Sequence, residues 1–88
     1  MLTLDPETIT AVFAAAAASP DWVRTNLGQH VRVSHGSDAY YVEIHSSGRY
    51  LAQIAAWEGY GGTEDIRGAN ATPDQHRALT AAANRYAP

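Results

Sequence analysis

His30, Glu43 and His45 are the side chains whose types and spacing come nearest to a reactive site. In the strand pairing that the turns dictate, His30 lies opposite Glu43, and His45 follows two residues along on the same face. Opposed Cβ atoms in a sheet are about 5 Å apart and diagonal ones about 7 Å. Two imidazoles and a carboxylate at that spacing suit a metal site with open positions, and hence a metal-binding protein or a metal-assisted hydrolase. The plainer reading is preferred: a solvated polar row with a His–Glu cross-strand pair, because no second layer of residues orients the ligands. No cofactor and no enzymatic activity are expected.

Other chemistries fail on residue type. Gly59, Gly61 and Gly62 match neither dinucleotide nor phosphate-loop spacing, and the chain has no lysine to reach a phosphate. Ser34, Ser37, Ser46 and Ser47 sit at strand ends and turns, where serine is expected anyway. A binding surface is the stronger idea. Arg32, Tyr41 and Gln53 are expected to form one row, with Arg32 over the Tyr41 ring as a cation–π pair and Leu51 beside Glu43. Tyr60, Glu64 and Asp65, in a glycine-rich segment, would extend that surface. Tyrosine and arginine are the residues that anchor protein interfaces.

The elements that must position these groups follow from pattern. Asp5 reads as an N-cap with Pro6 at the first helical position, and Leu4 and Ile9 have staple spacing. Ile9, Val12, Phe13 and Ala16 then recur with helical period, so the first helix is about 6–18. Ser19-Pro20 ends it and looks able to start another, about 20–27, with Trp22, Val23 and Leu27 inward and Gly28 as its stop. The alternation of Gln29–His35 predicts a strand. Gly36-Ser37 fits a two-residue hairpin turn, which pairs Val33 with Tyr40, Arg32 with Tyr41, Val31 with Val42 and His30 with Glu43.

Strands are therefore placed at about 29–35, 38–45 and 49–57. A three-residue turn at Ser46-Ser47-Gly48 pairs Ile44 with Tyr50, Val42 with Ala52 and Tyr40 with Ile54. The two registers agree on one apolar face (Val31, Val33, Tyr40, Val42, Ile44, Tyr50, Ala52, Ile54, Ala56). The other face carries His30, Arg32, Ser34, Tyr41, Glu43, His45, Arg49, Leu51 and Gln53. Residues 58–71 read as a glycine-rich loop. Thr72-Pro73-Asp74-Gln75 is a capping box for a last helix, about 73–86, whose stripe is Leu79, Ala82, Ala83 and Tyr86. The expected fold is α+β, one domain over 1–88, in the order ααβββα. A three-stranded antiparallel meander has the helices packed on one face.

The order αβββα over residues 20–86 resembles that of double-stranded-RNA-binding domains. The resemblance is one of architecture: where that family has a lysine cluster, this last helix starts Thr72-Pro73-Asp74-Gln75-His76-Arg77.

Composition narrows the rest. Nine acidic residues outweigh six basic ones, all arginine, for a net charge of −3. Direct nucleic-acid binding is disfavoured by that balance. There is no cysteine, so disulfides, thiolate nucleophiles and cysteine zinc sites are excluded. No run is of signal or membrane-spanning length, so a cytoplasmic protein is expected. The expectation is a small acidic, non-enzymatic protein-binding module, of the inhibitor, immunity or phage and mobile-element antagonist type, that occludes a larger protein. The alternatives are the metal protein above and an acidic nucleic-acid mimic using Glu43, Glu58, Glu64 and Asp65. Homodimerisation through an edge strand is compatible with each.

Overall fold

The computed structural model describes residues 5–26, 28–45, 53–56 and 67–88. It is an α+β fold: helix α1 (Pro6–Ala18), strands β1 (Val23–Thr25), β2 (Gly28–His35), β3 (Asp38–His45), β4 (Gln53–Ala56) and β5 (Arg67–Asn70), and helix α2 (Pro73–Tyr86). All the strand pairs are antiparallel, and the sheet order is the chain order, β1-β2-β3-β4-β5. The expected meander is its centre, and the sheet continues past that meander at both edges.

Both helix starts follow from their caps. The Asp5 carboxylate accepts from the Thr8 backbone N–H at 2.8 Å, with Pro6 beginning α1. That bond holds the Asp5 carboxyl below the usual carboxylate range. At α2 the capping box closes in both directions. The Gln75 N–H donates to Thr72 Oγ1 at 3.2 Å, and the Thr72 N–H donates to Gln75 Oε1 at 2.8 Å. Leu4 of the expected staple lies outside the described residues, while Ile9 packs against the core.

The expected helix at 20–27 is a correction. Its centre is strand β1, with Val23 opposite His30, Arg24 opposite Gln29 and Thr25 opposite Gly28. Two β-branched residues in three favour a strand, and an eight-residue helix is marginal unless packing holds it. Ser19 does accept a backbone N–H, but from Asp21, closing a turn at the end of α1. Gly28 opens β2 at φ 140° instead of stopping a helix. The order resembling double-stranded-RNA-binding domains goes with that helix, since residues 20–26 contain no helix.

The β2–β3 hairpin has the expected register in every pair, including Val33–Tyr40 and His30–Glu43. Gly36 takes the left-handed conformation, φ 64°, that the first position of a two-residue hairpin turn requires. The β3–β4 register differs from expectation by two residues: Val42 faces Ile54, not Ala52, and Glu43 faces Gln53. An even shift keeps every residue on its face, so burial alone does not distinguish the two pairings. The Ser46-Ser47-Gly48 turn lies outside the described residues, as do Arg49, Tyr50, Leu51 and Ala52. Part of the expected loop at 58–71 is strand β5, which puts Ala69 opposite Ile54 and Asn70 opposite Gln53.

The core joins one sheet face to both helices. Val31, Val33, Tyr40 and Val42 from the sheet meet Val12, Phe13 and Ala16 of α1 and Leu79, Ala82 and Ala83 of α2. Trp22 is buried and its indole N–H donates to the Ala16 carbonyl at 2.9 Å, tying the end of α1 to the approach of β1. In the alanine run, Ala16 and Ala17 pack on the core and Ala14, Ala15 and Ala18 face outward. Gln29, on the same sheet face, is buried. Its side-chain amide donates to Ala87 O at 2.7 Å and to Asn84 Oδ1 at 3.2 Å, and Arg24 Nε donates to Pro88 O at 2.8 Å. These bonds hold the end of α2 beneath the β1–β2 edge. Tyr86 departs from the expected apolar stripe: it is 43% exposed, with the Arg85 guanidinium 5.5 Å from its ring centroid.

Candidate functional site

Strand alternation sends His30, Arg32 and Ser34 of β2 and Tyr41, Glu43 and His45 of β3 away from the helices. The pairing then aligns them in rows across the sheet. One row runs Val23, His30, Glu43, Gln53, Asn70, and its neighbour runs Arg32, Tyr41, Ala55, Gly68. Among the described residues, no helix packs on this face, because both helices occupy the other.

The geometry gathers several of the expected site residues. Arg32 is exposed and directly opposite Tyr41; Tyr41, Glu43, His30 and His45 are half-buried. Gln53 belongs to the row of Glu43 and His30 and not, as expected, to that of Arg32 and Tyr41. Leu51, Tyr60, Glu64 and Asp65 lie outside the described residues. The aromatic contact also differs. Tyr41 meets the ring of His30, its diagonal neighbour, with centroids 6.4 Å apart and planes tilted by 53°. Arg32, of the expected cation–π pair, stands directly opposite Tyr41 in the register. A diagonal pair across an antiparallel ladder is within reach of two rings, and a tilted arrangement is a favourable one for them.

His30 and Glu43 face each other as the sequence predicts, and a shallow depression lies beside them, lined by Thr25, Gly28, Gln29, His30, Glu43 and Ile44. Among the described residues, no three histidine or acidic side chains come together as a metal-holding group. The trio His30, Glu43 and His45 is thus on one face without forming such a group. Among the described residues, every buried side-chain nitrogen or oxygen has a hydrogen-bond partner, so no orphaned polar atom marks a ligand. Of the acidic residues considered for a nucleic-acid mimic, Glu43 is on this face beside His30, while Glu58, Glu64 and Asp65 fall outside the described residues.

Sequence reasoning missed two contributors on the described face, Val23 and Asn70. Val23 is 47% exposed and stands next to His30 in its row. The signal was present in Val23-Arg24-Thr25, whose alternation sends Arg24 to the helix side and Val23 and Thr25 to the other. Asn70 likewise reaches the row only once β5 is recognised as a strand.

This face is chemically mixed. It offers an arginine, a tyrosine, two histidines, a carboxylate and an exposed valine on a scaffold fixed by the core behind it. No helix among the described residues is long and apolar enough to cross a membrane. No family model matches the chain, and no curated protein and no solved structure matches it.

Proposed function

We propose that the protein is a non-enzymatic binding module that docks onto a larger partner protein through the sheet face opposite the helices. One observation carries this reading: Arg32, Tyr41, His30 and Glu43 share a face, while both helices pack on the other. Tyrosine and arginine contribute disproportionately to protein interfaces, and a sheet face backed by a packed core presents them with little ordering cost on binding. The mixed charge of the face suits a polar protein surface better than a phosphate backbone. By analogy of size and acidity alone, occlusion of a partner by an inhibitor or immunity-type module is the mode of action proposed.

The test is capture of partners by the immobilised protein. The comparison is between the natural chain and an Arg32→Glu/Tyr41→Glu double variant shown by circular dichroism to be folded. A specific captured protein that the double variant no longer retains supports the reading. Equal capture by both removes this face as the docking surface. Light scattering on the same samples separates a second copy of the chain from a different partner.

A further inference from the structure

We draw no further inference here: the strongest candidate, the shallow depression beside Thr25, His30 and Glu43 at the β1–β2 end of the sheet face opposite the helices, belongs to the surface already described, and nothing in the structure shows what covers it.

Discussion

Tyr40 and Tyr41 are adjacent in the chain and lie on opposite faces of β3. Tyr40 is 1% exposed among Phe13, Val31 and Val42 of the core, whereas Tyr41 is half-buried against the His30 ring on the other side. The same contrast holds along the whole hairpin. Residues facing the helices are aliphatic or aromatic, save His35 and Asp38 beside the turn and Gln29, whose amide is satisfied by the end of α2. Those facing away include arginine, histidine, serine, alanine and glutamate around one tyrosine. One face therefore holds the fold together. The other carries the residues proposed above for docking.

Substitutions sharpen that contrast, beginning with the largest effect. Tyr40→Ala empties a fully buried site. Truncation of a buried aromatic costs about 3–5 kcal/mol. Set against the 5–15 kcal/mol typical of a whole domain, that is a large share of the total. Urea unfolding is expected to show a midpoint far below that of the natural chain; a midpoint within error of it would break the assignment of this face to the core. Gln29→Ala removes the donor to Ala87 O and Asn84 Oδ1. Leaving the buried Ala87 carbonyl unpaired costs roughly 1–3 kcal/mol, whereas the exposed Asn84 amide turns to water. The amides at the end of α2 are expected to exchange with solvent faster than those at its start.

Smaller effects probe the helix ends. Thr72→Ala opens the capping box of α2 and is expected to cost about 1 kcal/mol, read from the unfolding midpoint. Thr72→Ser, which keeps the hydroxyl, restores most of it. Asp5 gives a pH dependence. Its folded carboxyl titrates below the usual range because it accepts the Thr8 N–H. Its stabilising contribution is therefore complete above the unfolded value and is lost as pH falls through the depressed folded value. Asp5→Asn keeps a good cap without that titration. The melting temperature of this variant is expected to fall less on acidification than that of the natural chain.

The legibility of the molecule in its sequence followed the same division. The hairpin from Gly28 to His45 was legible pair by pair, because Gly36-Ser37 admits a turn length that fixes the register. The start of each helix was legible because Asp5, Thr72 and Gln75 have direct hydrogen-bonding reasons to be there. Strand β1 was not, since Trp22, Val23 and Leu27 fit a helical spacing and the three-residue alternation of Val23-Arg24-Thr25 is too short to outweigh it. The pairing it gains with β2 is not visible locally. The two-residue shift of β4 was hidden because Val42 can face either Ala52 or Ile54 with an apolar face toward the helices. Strand β5 was hidden because Arg67-Gly68-Ala69-Asn70 has neither a β-branched residue nor a clear apolar alternation. For the site, the sequence revealed which residues share a face. It did not reveal the His30–Tyr41 contact or the place of Val23 beside them, which depend on side-chain geometry and on an unrecognised strand.

The most direct test of a division between a structural face and a docking face compares neighbours. Tyr41→Ala and Val33→Ala are each assayed for unfolding midpoint and for capture of the partner retained by the natural chain, at a temperature where both variants are folded. Tyr41→Ala removes cross-strand contacts worth about 1 kcal/mol or less. Val33→Ala removes buried apolar surface whose full burial is worth about 1.5–3 kcal/mol. This division of faces predicts that Tyr41→Ala stays close to the natural midpoint and loses the partner, while Val33→Ala is less stable and retains it. A folded Tyr41→Ala that captures the partner as well as the natural chain would contradict it.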